Sequence, residues 1–176
     1  CRDRAIMLIG FAGALRRSEL VGLEVHDLSF EDEGIVMCIK RSKSDQEGQG
    51  VHLGVPYGSH RLTCPIRSCR EWLEMAQIDQ GPLFRPLGRA KYPEDRALSG
   101  QAVSLIIKRA VKRAGLDPSL YGAHSLRSGM ITTAAALGID SVQLSRHTRH
   151  ASLTVLREYM RPATVFLQNP AARLGL

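Results

Sequence analysis

The sequence predicts a mainly α-helical domain with one small antiparallel β-sheet, an α+β fold. Three observations carry that prediction. Several segments place apolar residues at three- and four-residue spacing, as helices with one buried face do. Only LSF, IVMCIK and GVHLGVP have the β-branched and apolar texture of strands. The chain of 176 residues, 44% hydrophobic and 23% charged, is long enough for one domain with a sizeable core, and it holds no internal repeat or low-complexity tract.

Taken in order, Ile6, Leu8, Ile9, Ala12 and Leu15 give a mostly apolar first helix, weakened locally by Gly13. Ser18 has the chemistry of an N-cap with Glu19 in the first turn, and starts a short helix that carries Leu20 and Leu23 and ends near His26 and Asp27. Gly34 separates LSF from IVMCIK. The stretch RSKSDQEGQG is too polar for a core, so it connects IVMCIK to GVHLGVP and holds Lys43 near a strand end. Pro65 in a first turn, with Ile66, Trp72, Leu73 and Met75, predicts a helix over 64–76. Residues 85–98 read as an exposed loop. Ser99 caps a helix over 99–114, with Val103, Ile106, Ile107, Ala110 and Val111 inward, Lys108, Arg109, Lys112 and Arg113 outward, and Gly115 as its end. After the turn at Asp117 and Pro118, a helix spans 124–137 and stops at Gly138; shorter ones cover 141–147, 152–160 and 163–167.

Charge narrows the class of partner. The formal net charge is +7 with a pI near 9.6, which favours polyanions. The distribution is uneven: over 100–161 nine Lys and Arg stand against Asp117, Asp140 and Glu158. Cys1, Cys38, Cys64 and Cys69 form no paired framework, which fits a reduced, cytoplasmic protein. Cys64 and Cys69 near His60 lack a second ligand pair at zinc spacing, so they are expected in the core as small apolar groups. No apolar run approaches the roughly 18 residues of a membrane span, and no signal-peptide pattern is present.

The residues with chemical potential are scattered. His124 and Arg127 stand three apart at a helix start, where one face and the free backbone amides suit a phosphate. Arg16 and Glu19 form RxxE between apolar helices, with the carboxylate able to orient the cation. Lys43 sits on the polar hairpin beside Lys40 and Arg41, and His150 precedes Tyr159 on a segment whose Leu153, Val155 and Leu156 can anchor a helix. Singly, each has an ordinary structural explanation: a surface ion pair, a solubilising lysine, a capping histidine, a tyrosine anchoring a terminal helix.

The ordered set is more specific than its parts. Through LRRSEL, RSKSD, AHSLR, RHASL and EYMRP, and through its ending NPAARLGL, the chain resembles the tyrosine recombinase (phage integrase) family over essentially all 176 residues, as that family's catalytic domain. It departs from the pattern at Arg149, where many members have Gly, and Arg17 beside Arg16 offers a second choice of arginine; Arg16 is preferred because Glu19 follows it by three. Cys1 opens directly into a helical pattern without Met, so residues 1–176 are expected to be a fragment lacking the family's N-terminal DNA-clamping domain.

What the resemblance implies is metal- and cofactor-free strand cleavage and rejoining of double-stranded DNA. Arg16 and Arg127 would clamp the non-bridging oxygens, Tyr159 would attack phosphorus with His124 as base, Lys43 would protonate the departing 5′-oxygen, and His150 would donate to the phosphate. Glu19 would orient Arg16, while Arg41, Lys108, Arg146 and Arg149 are candidates for DNA contact. A homotetramer on paired sites, with the apolar tail at Val165, Phe166 and Leu167 docked on a neighbour or on its own domain, and a nucleoid-associated location in a bacterial or phage-type cytoplasm complete the expectation. Two other readings stand beside it: relaxation of supercoils in the manner of type IB topoisomerases, and a DNA-binding module without catalysis, held by basic helices alone.

Overall fold

The computed structural model describes residues 1–40, 50–150 and 152–164. Its elements run α1 (Arg2–Ala12), α2 (Arg17–Gly22), a 3₁₀ turn (Val25–Asp27), β1 (Leu28–Phe30), β2 (Gly34–Ile39), β3 (Val51–Pro56), α3 (Pro65–Ala76), α4 (Gly100–Arg113), α5 (His124–Ala136), α6 (Ser141–Thr148) and α7 (Leu153–Thr164). The expected α+β class is what forms. The sheet has the order β1-β2-β3, antiparallel throughout, with Leu28 opposite Met37 and Ile35 opposite Val55. Gly34 opens β2 because the strands meet closely there: a Cβ on it would sit 2.1 Å from the Val55 carbonyl oxygen.

Two apolar clusters organise the helices. The larger joins Ile6 and Ile9 of α1 to Leu15 and Leu20, to Ile35, Met37, Leu53 and Val55 of the sheet, to Ile66, Cys69 and Trp72 of α3, and to Val103 and Ile106 of α4. Cys64 and Cys69 are buried there as free thiols. The smaller gathers Ile131, Ala134, Ala135, Leu144 and Leu156 from α5, α6 and α7. Helix α5 bridges them, since its Leu126 packs on the first cluster and its Ile131 lies in the second. The N-terminal end of α5 therefore lies where the two packing units meet.

Several local readings change. Helix α2 is capped by Arg16 instead of Ser18: the Arg16 N–H donates to Glu19 Oε2 at 2.8 Å, so the carboxylate three residues on satisfies the helix start, and Ser18 lies inside the helix. The helix stops at Gly22, and Leu23 turns extended where the chain leaves α2 for the 3₁₀ turn that leads into β1. Residues 85–98 are more ordered than a plain exposed loop, with Leu87 bridging Pro93, and Leu98 buried and donating its N–H to the Phe84 carbonyl at 2.8 Å. At the other end one helix, α7, runs through Pro162 where two were expected; of the predicted 163–167 helix only its first two residues are described, and the rest of the tail lies outside the described residues. The capping of α4 by Ser99 is as expected, with its hydroxyl accepting from Ala102 N–H at 3.1 Å.

Candidate active site

The turn between α1 and α2 is the floor of the site. Helix α1 ends at Ala12, and the next residues present carbonyls that the rest of the helix cannot satisfy. Ala14 takes the left-handed conformation at φ 45, with its side chain fully buried. The open carbonyls are met by side chains from α5 and α6. Arg127 Nη1 donates to Ala14 O at 2.6 Å, His147 Nε2 lies 2.7 Å from Ala12 O, and Arg149 donates to Gly13 O at 3.3 Å and Ala14 O at 3.4 Å. Cations and an imidazole thus occupy the negative end of α1, the favourable sign for a helix C-terminus.

Around that floor an ion chain forms. Arg16 Nη1 pairs with Glu19 Oε1 at 2.6 Å, and Arg149 Nη2 with Glu19 Oε2 at 2.9 Å; Arg16 Nη2 also donates to the Arg149 carbonyl at 3.2 Å. Burial of Glu19 works against its charged form, yet the Arg16 N–H bond and the two guanidinium groups more than offset it, and its pKa is lowered. The Arg127 guanidinium is buried, and burial together with the like charges of Arg16 and Arg149 brings its pKa down to about 10, which leaves it protonated at neutral pH.

His150 completes the inner wall. Arg127 Nη2 stands 3.2 Å from each of its ring nitrogens. Thr148, buried at the end of α6, donates its hydroxyl to Leu144 O at 2.7 Å and lies 2.6 Å from His150 Nδ1. Burial first, and then the surrounding arginines, lower the His150 pKa to about 4, so the ring is neutral at pH 7. His124 opens α5 and stays exposed at the rim, its Nε2 3.1 Å from the Tyr159 hydroxyl; the Tyr159 ring centroid lies 5.9 Å from that of His124 and 6.3 Å from that of His150. Tyr159 is half-buried on α7, held by the cluster around Leu156. Arg16, Arg17, Ser104, Gly122, Ala123, His124, Arg127 and His150 line one open cleft.

Five of the six expected catalytic residues are thus brought together: Arg16, His124, Arg127, His150 and Tyr159. Lys43, like Arg41, lies outside the described residues. Arg16 holds Glu19, while Arg17 lies exposed across Gly100 at the start of α4, where a Cβ would come within 2.8 Å of it. Lys108 and Arg146 are exposed on α4 and α6. Arg149 differs from the expectation of a DNA contact: its side chain is only 8% exposed and points inward to Glu19 and the α1–α2 turn. Sequence reasoning passed over Thr148, His147 and the three turn carbonyls; a backbone carbonyl has no signature in a sequence, and a Thr four residues after Leu144 is ordinary in a helix. Among the described residues no three His, Cys, Asp or Glu side chains form a group able to hold a metal ion, and no helix is long and apolar enough to cross a membrane.

Comparison with known proteins gives a consistent set. The phage integrase family model matches residues 1–164. An integrase/recombinase xerD homolog of Selenomonas ruminantium is 40% identical over 173 residues, covering 98% of this chain and 51% of the relative. The tyrosine recombinase XerD of Xanthomonas axonopodis pv. citri is 30% identical over 175 residues, 95% of this chain and 53% of that protein. The chain therefore spans about half the length of the curated relatives it matches. Among solved structures, XerH site-specific recombinase bound to palindromic difH substrate, in a post-cleavage complex, shares the fold at a TM-score of 0.75 and 22% identity over 99% of this chain and 46% of that one. A lambda integrase dimer bound to a COC' core site gives 0.60 at 19% identity, over 91% of this chain and 52% of that one.

Proposed function

The chain belongs to the phage integrase family, and on that premise we propose that it cleaves and rejoins double-stranded DNA at specific sites through a 3′-phosphotyrosyl link to Tyr159. The observation that carries this reading is the 3.1 Å separation of His124 Nε2 from the Tyr159 hydroxyl at the mouth of a cleft lined by Arg16, Arg127 and His150.

A phosphodiester resists attack because its anionic oxygens repel a nucleophile and its leaving alkoxide is basic. In the proposed sequence, the two guanidinium groups take the non-bridging oxygens and the charge that builds on them, which removes the first difficulty by preorganised electrostatics. A phenol has a pKa near 10 and needs a base. His124 Nε2 accepts the Tyr159 proton as the phenolic oxygen bonds to phosphorus. The bond from phosphorus to the 5′-oxygen breaks, and Lys43 supplies the proton that makes this a 5′-hydroxyl. A 5′-hydroxyl of another strand then attacks the phosphotyrosyl phosphorus, returns the tyrosine and restores a phosphodiester. One P–O bond is made for each one broken, so no energy source is consumed.

Strand exchange at paired sites requires several active sites at once, and we extend the proposal to a homotetramer acting on DNA in a bacterial or phage-type cytoplasm. The exposed Lys108 and Arg146 supply backbone-phosphate contacts. Relaxation by a single subunit uses the same chemistry; reciprocal joining of two DNA sites separates the readings. The test of the cleavage itself is a nicked suicide substrate whose short 5′-segment diffuses away. A denaturation-resistant protein–DNA adduct mapped to Tyr159 is expected, and salt-sensitive binding without any adduct overturns the reading in favour of a binding module.

A further inference from the structure

We propose that Arg149 is a positioning residue of this cleavage site: by sharing the Glu19 carboxylate it leaves the Arg16 guanidinium with uncompensated positive charge and fixes it toward the cleft. The inference rests on the cleavage reading above.

Arg149 is held in a way that a mere surface cation is not. Its backbone is left-handed at φ 56, a conformation that a side chain with a Cβ disfavours. Its Nε is buried without a hydrogen-bond partner among the described residues. Costs of both kinds persist where the surroundings over-determine them. The surroundings here are specific: the guanidinium meets Glu19 Oε2 at 2.9 Å, His147 O at 2.9 Å, and the carbonyls of Gly13 and Ala14.

The charge arithmetic gives the consequence. Arg16 and Glu19 alone make a neutral pair, and a cation already neutralised by a buried carboxylate is a poor clamp for a phosphate. Adding Arg149 makes the three groups net positive. The excess is expressed at Arg16, because the Arg16 side chain is 37% exposed while those of Glu19 and Arg149 are 2% and 8% exposed. Geometry works in the same direction. The Arg149 carbonyl accepts from Arg16 Nη2 at 3.2 Å, so one residue fixes one tip of the Arg16 fork through its backbone and the carboxylate under the other tip through its side chain. The same left-handed turn leads directly into His150.

The test compares Arg149→Gly, Arg149→Lys and the wild type on the suicide substrate at saturating DNA, well below each protein's melting temperature. Glycine suits the left-handed backbone and removes the guanidinium; lysine restores the charge without the fork. The glycine variant is expected to form adduct at least tenfold more slowly with DNA affinity changed far less, and lysine to recover part of the rate. A second readout is the His150 titration by NMR. Arg127, Arg16, Arg149 and His124 act on that ring, and loss of one like charge should move its titration upward in Arg149→Gly and less in Arg149→Lys. A simple staple between α6 and the α1–α2 turn would lower the melting temperature and shift the His150 titration through the lost charge, but leave the adduct rate in place. A folded glycine variant that cleaves at the wild-type rate overturns the proposal. If glycine prevents folding, Arg149→Gln against Arg149→Lys carries the same contrast, and equal rates in those two overturn it. A wild type that forms no adduct, in contrast, defeats the cleavage reading itself and Arg149's role with it.

Discussion

The hydroxyl of Tyr159 and Nε2 of His124 come within 3.1 Å of each other although 35 positions separate them, one on α7 and the other at the first residue of α5. The contact needs both helices to pack on the small cluster of Ile131, Leu144 and Leu156, so apolar burial far from any charge decides whether the phenol meets the imidazole.

Replacing Tyr159 with Phe is expected to abolish the covalent DNA adduct and leave DNA affinity nearly unchanged, since the ring stays in its apolar seat and only the hydroxyl is lost. Gel-shift binding and adduct formation, measured side by side, check both halves. An adduct surviving in the Phe variant would falsify the assignment of the nucleophile.

Arg127→Ala is expected to slow cleavage by something like 10² to 10³, the cost of one preorganised donor to a developing charge. It should also destabilise the fold, because the guanidinium donates to the Ala14 carbonyl at 2.6 Å and that acceptor would keep only the longer 3.4 Å bond from Arg149. Single-turnover rates and denaturant midpoints separate the two effects. Near-normal cleavage would mean that another arginine fills the role.

Thr148→Val should move a proton on the His150 ring. With its hydroxyl donated to Leu144 O, the Thr148 oxygen accepts from Nδ1–H, which leaves Nε2 without a proton in the neutral ring, contrary to the expectation that this ring donates to the phosphate. Valine keeps the shape and removes the acceptor, so the Nε2–H tautomer is expected to gain. The ¹⁵N shifts of the two ring nitrogens report it directly, and an unchanged pattern shows that Thr148 does not set the tautomer.

Stability should fall as the solution is acidified from about pH 6.5 toward 4. Folded His150 binds its proton only near pH 4, against 6.5 for an ordinary imidazole, so across that window the unfolded chain holds more protons and gains. Glu19, whose folded pKa is lowered, adds stability that is present above its unfolded value and is lost as the pH falls through the folded one. Urea midpoints taken at intervals of pH, for the wild type and His150→Asn, check this: the variant should show the shallower slope between pH 6.5 and 4.

The fold was readable where periodicity and capping chemistry are local. Ser99 ahead of Val103, Ile106 and Ile107 announces α4, and Gly34 marks the start of β2. Arg16, His124, Arg127, His150 and Tyr159 could be named because their order along the chain is informative even though none is informative alone. Ser18 does not cap α2, because Arg16 already takes the extended cap conformation and Glu19 bonds its N–H, which puts Ser18 inside the helix, an arrangement reinforced by Arg149 from 130 positions away. Arg149 itself looked like one more basic surface residue, since nothing in RHTRH says which cation turns inward.

The carbonyls of Ala12, Gly13 and Ala14, which receive His147, Arg149 and Arg127, have a consequence for synthesis. They emerge among the first residues of this segment, and their partners come more than 110 positions later. Such distant contacts close late and slowly in folding. A nascent chain can bury Ile6 and Ile9 against the sheet and α3 before α6 exists, so the larger apolar cluster can assemble while Tyr159 is still apart from Arg127 and His124. On the proposed reaction, the cleft with Tyr159 beside His124 is therefore completed only in chains translated through α7.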